Sequence, residues 1–358
     1  MAEESRRDDP RIAQHFNAGS VHQMNRENLE DVGERGWLDL VRGCLEKVAD
    51  KRLLVRTGDD AAVWSLEGEP IQVVTSDAQV EGTHFSRVWL SWEGLARRAV
   101  LAAASDITAM GGTPRGFLLS LGVPGETKLD DLEAFARSLA DLAQQYSLLP
   151  LGGDTVRSEM VFLDVTVLGT VPEDSIVRQT GSKEGDALWV TGWLGTMRAA
   201  WISLVEGNDP ATALRSHFWN PPVRWPALPI LRDSIPIRAM TDLSDGLAID
   251  LPKMLASAGF GAEVRLDLLP VTHGLREFAN SRGWEPTDLA YLGGEDFELL
   301  VVEKGDSRSE PALDLGGIPL TRIGKVTTVG SPIRTVRRGV EVAVPGVPFD
   351  HYRKQERI

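Results

Sequence analysis

The sequence predicts an α/β protein with mixed sheets, α+β in character, built as two domains. Three observations lead there. The chain has 358 residues, enough for two domains of ordinary size. Short β-rich runs alternate with stretches of helical spacing in both halves, without the strict strand–helix–strand rhythm of a parallel barrel. A second set of strands starts near residue 173, which gives a polar extension over 1–32, a first domain over 33–172 and a second over 173–358.

Residues 1–32 are polar and lack sustained periodicity, so they read as an extension without a core of its own. The stretch "WLDLVRGCLEKV" predicts a helix over 36–48. "RLLVR", "AAVWSL" and "IQVVTSD" read as short strands. "WEGLARRAVLAAASDITAM" has apolar residues at helical spacing and ends in Gly111-Gly112, a helix stop. "RGFLLSLGVP" reads as a strand, "LDDLEAFARSLADLAQQY" as an amphipathic helix and "MVFLDVTVLGTV" as a long strand. The second half opens with the strand "ALWVTG" and a helix from about 195. A Pro- and Trp-rich link, "FWNPPVRWPALP", then leads to a strand ending in "TDLSDG". Further β runs fall at 262–267, 298–303, 320–326 and 333–344. Trp219 and Trp225 around "NPP" read as packing residues of that link.

Composition narrows the function. There are 52 acidic against 38 basic residues, a formal charge of −14, which argues against nucleic acid and anionic membranes as partners. A bound anion stays open, because divalent cations invert the local sign. The single cysteine, Cys44, rules out an intrachain disulfide and fits a reducing cytoplasm. No apolar run reaches the roughly 18–20 residues of a membrane span. The stretch "MAEESRRDDPR" lacks the apolar segment of a secretory signal, so a cytoplasmic protein is expected.

Acids at the ends of apolar runs carry the chemistry. "RTGDDAAVW" (Asp59, Asp60), "VVTSDAQVEGTHF" (Asp77) and "LPLGGDTVRS" (Asp154) read as acidic turns. Asp106 sits in a helix otherwise lined with Ala, Ile and Met, with no Lys or Arg within one turn, a costly place unless it is paired or metal-bound. "TDLSDGL" and "YLGGEDFELL" add Asp242, Asp245, Glu295 and Asp296. Each alone reads equally as a turn or helix cap. Together they are hard oxygen donors without a His/Cys cluster, which suits Mg²⁺ with substrate phosphates completing its shell. A strand end followed by a tight turn can aim Asp242 and Asp245 into one cleft, while Ser244 and the helix N-terminus offer donors to phosphate. No Walker A or protein-kinase signature is present. The residues alone therefore reach Mg²⁺-dependent phosphate chemistry.

Read in order, "GDDAAV", "TSDAQVEGTHF", "SDITAMGGTPRGFLLSLGVP", "GGDTVRS", "TDLSDGLAIDL", "GGEDFELL" and "IGKV" resemble the thiamine-monophosphate kinase family, over roughly residues 33–352. This is a branch of the aminoimidazole ribonucleotide synthetase-like superfamily. The resemblance implies two α/β domains whose N-terminal sheet pairs with its twin in a homodimer. It implies ATP and thiamine monophosphate as substrates and several Mg²⁺ ions as cofactors. By motif, Asp60, Thr75, Ser76, Asp77, Asp106, Asp154, Asp242 and Asp245 are the implied Mg²⁺ ligands, directly or through water. Gly153, Asp154 and Ser244 are the implied nucleotide contacts, and His84 and Glu295 the implied substrate contacts.

The chain departs from the family pattern in places. Where the family has Arg-Ser-Gly, "VRQTGSKEGD" puts Gln179 in the arginine column and Arg178 one residue early. "NPPVR" keeps Arg224 and one proline of the interdomain link, and "VPFDHY" leaves Phe349 for the family's C-terminal aromatic. Two rival readings stand beside the kinase: a sibling ATP-dependent enzyme of the superfamily, and a non-catalytic nucleotide- or thiamine-phosphate-binding protein.

Overall fold

The structure, a computed structural model, describes residues 71–346 apart from 211, 257, 306, 307 and 309, together with 40, 43–44, 53–55 and 63–64. Asp60, Phe349, the 1–32 extension and most of the expected helix over 36–48 lie outside the described residues. Two short strands, β1 (Leu53–Val55) and β2 (Val63–Trp64), pair antiparallel.

Four strands form the first large sheet: β3 (Ile71–Val80), β4 (Thr113–Val123), β5 (Leu149–Arg157) and β6 (Phe162–Val171). Their spatial order is β3-β6-β4-β5, with β4 and β5 parallel and the other pairs antiparallel. β3 and β5 are therefore its two edges. Helix α1 (Trp92–Ala109) packs on β3 and β6 and, on its other side, reaches the second half of the chain. Ser91 caps it by accepting the Gly94 N–H, and its Ala-rich body is buried nearly all round. A helix apolar on all faces belongs between layers. The amphipathic α2 (Leu129–Tyr146) covers α1 and ends at Ser147, whose left-handed backbone stops the helix.

The second half folds around an eight-stranded sheet. Its strands are β7 (Ala187–Thr191), β8 (Ile237–Asp242), β9 (Phe260–Arg265), β10 (Leu299–Glu303), β11 (Ala312–Asp314), β12 (Pro319–Val329), β13 (Ile333–Arg337) and β14 (Val340–Glu341). The order is β14-β13-β9-β12-β7-β10-β8, with β11 on β12; only β9 and β13 run parallel. Among the described residues six α-helices accompany it: α3 (Thr196–Val205), α4 (Thr212–Trp219), α5 (Leu228–Ser234), α6 (Leu247–Ala256), α7 (His273–Asn280) and α8 (Pro286–Leu292). One continuous hydrophobic cluster runs from Phe85 and Leu95 to Leu300 and Val326, so the halves share a core across α1.

Two expectations need correction. "LPLGGDTVRS" is not a turn but strand β5, and Asp77 lies inside β3, not after it. In both cases pairing with a neighbouring strand overrides the local preference of Gly, Ser and Asp for turns. The Pro- and Trp-rich link also contains the end of α4 and the start of α5. Its tryptophans pack as expected: Trp225 meets Tyr146 edge-on at 5.3 Å, and the Trp219 indole donates to the Trp89 carbonyl at 3.3 Å. Among the described residues no helix is long and apolar enough to cross a membrane.

Candidate active site beside helix α1

The site is built where α1 lies between the edge strand β3 and the end of β8. Strand alternation decides what β3 contributes, because successive side chains point to opposite faces. Thr75 and Asp77 share the α1 face: the Thr75 hydroxyl donates to Oδ2 of Asp106 at 2.7 Å. Ser76 takes the other face, where its hydroxyl donates to Oδ1 of Asp164 at 2.5 Å and lies 3.2 Å from Thr166 Oγ1. The structure thus separates Ser76 from Thr75 and Asp77 within one chain.

Asp242 closes β8 and is buried, with Oδ2 lacking a hydrogen-bond partner among the described residues. Burial pushes its carboxyl up to about 7, the Asp106 charge adds to this, and the Ser105 hydroxyl opposes it. Burial likewise lifts Asp77 to about 6, with Asp106 and Glu295 adding and Gln79 and Arg98 opposing. Asp106 is raised by burial against the Thr75 hydrogen bond. Burial thus disfavours ionisation at all three acids, and the Asp106 charge adds to this at Asp77 and Asp242, the electrostatics of a site suited to a cation.

The remaining sequence-predicted residues divide. Ser244 and Asp245 sit in the turn after β8, where Asp245 pairs with Lys253 of α6. Asp250, which the sequence reading passed over, caps this turn by accepting the N–H groups of Asp245 at 3.0 Å and Gly246 at 2.8 Å. Glu295 is drawn to the same turn: its N–H donates to the Ser244 carbonyl at 2.6 Å and its side chain is ion-paired with Arg98. Gly246 is required there, since a Cβ would lie 1.5 Å from the Gly293 carbonyl oxygen. His84 is half-buried in the turn after β3, with Nδ1 accepting the Val80 N–H at 3.0 Å, which leaves a neutral ring its proton on Nε2. Gln179 donates to the Thr241 hydroxyl at 3.0 Å, one residue from Asp242.

Gly153 and Asp154 lie elsewhere, exposed on β5. A side chain at Gly153 would run into the Leu119 carbonyl, 1.7 Å away, so glycine is fixed by strand packing as well as by any ligand. Two strands separate β5 from β3, which puts the edges roughly 14 Å apart at the usual strand spacing.

Among the described residues no three His, Cys, Asp or Glu side chains converge tightly enough to chelate one ion. The all-oxygen set, the open oxygen of Asp242 and the raised carboxyls fit Mg²⁺, which keeps several of its waters and binds through one or two carboxylates.

Comparison with known proteins agrees with this architecture. Residues 58–171 match the family described as AIR synthase related protein, N-terminal domain, and 183–337 match its C-terminal domain. Thiamine-monophosphate kinase of Rhodopirellula baltica is 30% identical over 301 residues, covering 82% of this chain and 89% of that protein. The chain belongs to the thiamine-monophosphate kinase family. The Synechococcus elongatus member of the family is 31% identical over 316 residues, 85% of this chain and 91% of that protein. The crystal structure of thiamine-monophosphate kinase from Stenotrophomonas maltophilia superposes with a TM-score of 0.72 at 30% identity, covering 85% of this chain and 96% of that one. AaThiL, solved in complex with AMPPCP and TMP, superposes with a TM-score of 0.67 at 26% identity over 89% of this chain and 97% of that one. The hydrogenase maturation protein HypE of Escherichia coli shares the fold at 21% identity and a TM-score of 0.68, over 87% of this chain and 97% of that one.

Proposed function

We propose that this member of the thiamine-monophosphate kinase family phosphorylates thiamine monophosphate with ATP, giving thiamine diphosphate and ADP in the cytoplasm. The observation that carries the reading is the group formed by the half-buried Asp77 and Asp106 and the buried Asp242, where burial opposes ionisation and Asp242 Oδ2 has no hydrogen-bond partner among the described residues. An oxygen of the acceptor's phosphate attacks the γ-phosphorus, the bond to the β,γ-bridging oxygen breaks, and ADP leaves with that electron pair. No protein nucleophile is needed; positioning and charge neutralisation are. Thr75, Asp77, Asp106 and Asp242 would hold Mg²⁺ within the cleft, with Asp245 beside it and Asp60 outside the described residues. Mg²⁺ when bound supplies the positive charge that lets two anionic phosphates approach. The Ser244 hydroxyl would face the nucleotide phosphates, and His84 and Glu295 the acceptor.

The reading includes a homodimer. The N-terminal sheet exposes apolar residues, Val74 at 66%, Leu118 at 38% and Val156 at 42%, and leaves both edge strands unpaired among the described residues. Such edges and patches are normally covered. With β3 and β5 at opposite edges, one chain cannot bring Gly153 and Asp154 to Asp77. A second copy laying its β5 along β3 can, and it would supply Asp154 as a ligand next to Ser76 and Asp77.

An acceptor panel tests the function. Thiamine monophosphate should support ADP release while thiamine and aminoimidazole-type ribonucleotides do not. Turnover with a ribonucleotide instead would move the chain to the sibling activity, and saturable binding of ATP and thiamine monophosphate without turnover would make it a binding protein.

A further inference from the structure

Arg98 is a fully buried charged side chain at this site that no motif marks. It lies two turns before Asp106 on α1 and is fully buried. From the N-terminal half it reaches two separate pieces of the C-terminal half. Its Nη1 donates to the Phe218 carbonyl at 3.2 Å, with the guanidinium 5.0 Å from the Phe218 ring centre. Its Nη2 is ion-paired with Oε1 of Glu295. Nε and Nη2 meet no aligned hydrogen-bond acceptor among the described residues, and the contact with Glu295 is an ion pair. Buried donors left this way are rare enough to ask for a reason.

Glu295 is itself held under strain. Its φ of 57° is a left-handed conformation that glutamate seldom adopts, and Phe297, two residues on, repeats it at 49°. The loop persists because it is over-determined. The Glu295 N–H donates to the Ser244 carbonyl at 2.6 Å, the Phe297 N–H to the Leu243 carbonyl at 3.0 Å, and the Leu243 N–H to the Glu298 carbonyl at 2.8 Å. The buried Asp296 between them accepts the Gly195 N–H at 2.8 Å. Strain held in place by its surroundings in this way clusters at functional sites.

We propose that Arg98 is a positioning residue for the acceptor: its charge holds the Glu295 carboxylate at the cleft, where it meets the amino-bearing heteroaromatic end of the substrate. The inference rests on the kinase reading for the identity of that substrate. It does not rest on it for the placement of Glu295.

Arg98→Met removes the charge and keeps much of the bulk; Arg98→Lys keeps the charge. Arg98→Met should raise KM for thiamine monophosphate about tenfold or more, with kcat and KM for ATP within about twofold of wild type. Arg98→Lys should recover most of the loss, because the pair is one of charge. Glu295→Gln, at a partly exposed side chain, should reproduce the effect even if Arg98→Met fails to fold. The double variant should be no worse than the poorer single one. A uniform fall in kcat with KM for the acceptor unchanged overturns the proposal, and so do additive losses. Hydrogen exchange at the Glu295 and Phe297 amides needs no substrate and should quicken about tenfold in the Arg98 or Glu295 variants relative to amides of β7. Quickened exchange in a chain that does not phosphorylate thiamine monophosphate supports the positioning of Glu295 and removes only the kinase reading. Unchanged exchange overturns the positioning role itself.

Discussion

The acids of the C-terminal sheet and those of the cleft beside α1 are treated differently by the fold. In and just before the sheet's strands, Glu298 receives Arg224 on both oxygens at 2.5 Å, Glu303 meets Arg308 and the Trp189 indole, each at 2.9 Å, and Asp186 meets Arg238 at 2.6 Å. At the site, among the described residues, the Asp106 carboxylate accepts from the Thr75 hydroxyl and has no arginine, Asp242 keeps an open oxygen, and Arg98 opposes only part of the upward shift of Asp77. Several buried structural acids thus carry an arginine that the site acids lack, while the buried Asp296 is held by the Gly195 N–H instead. The sequence shows both sets as carboxylates in apolar surroundings, and only their partners tell them apart.

The sharpest way to break this comparison is to swap the expected phenotypes. Arg224→Ala leaves Glu298 charged and buried, which should cost about 3–5 kcal/mol in urea unfolding while kcat per folded molecule stays near wild type. Asp242→Asn should do the reverse. Turnover should fall about 100-fold or more, roughly 3 kcal/mol of transition-state stabilisation, with a metal-free Tm no lower than wild type. A variant with near wild-type rate would remove Asp242 from the site.

Subunit mixing sharpens the comparison between the two edges of the N-terminal sheet. Asp77→Asn and Asp154→Asn should each be inactive alone. Mixed after dissociation, they should recover about a quarter of wild-type activity, because half the dimers are hybrid and each hybrid carries one intact site. No recovery in verified hybrids would place both acids in one chain's site and contradict the edge-to-edge arrangement.

The smallest effect is a pH slope. Asp77 and Asp242 are raised from 3.8 to about 6 and about 7 in the folded chain, so the native state binds protons that the unfolded state has released. Their stabilising contribution is complete below about pH 4 and is lost as pH rises through 6 to 7, at up to ~1.4 kcal/mol per unit for each group. Metal-free protein should therefore lose Tm from pH 5 to 8, and Asp242→Asn should flatten the fall. Mg²⁺, which prefers the ionised carboxylates, should raise Tm more at pH 8 than at pH 6. Equal Mg²⁺ shifts at both values would contradict the metal assignment.

Much of this was legible before the fold was seen, for physical reasons. α1 and α2 announce themselves by apolar spacing and caps, and the acids of "TSD", "TDLSDG" and "GGED" stand out because apolar runs end on them. Pairing was not legible. "LPLGGDTVR" reads as a turn until β4 lies beside it, since two glycines carry no strand preference of their own. Ser76 shares a motif with Thr75 and Asp77, yet the two-residue period of a strand turns it toward Asp164, 88 positions away. Arg98 gives no signal within its own helix, because its partners Phe218 and Glu295 come from distant parts of the chain. Asp250 was legible in principle: an acid four residues after Gly246 on a helix's first turn is a capping signal.

The most direct test of the central claim is product accounting with purified protein, Mg-ATP and thiamine monophosphate. ADP and thiamine diphosphate should appear in equal amounts, with neither formed when the acceptor is omitted. ADP release without thiamine diphosphate, or no turnover despite saturable binding of both ligands, would contradict the assignment of this cleft to phosphoryl transfer onto thiamine monophosphate.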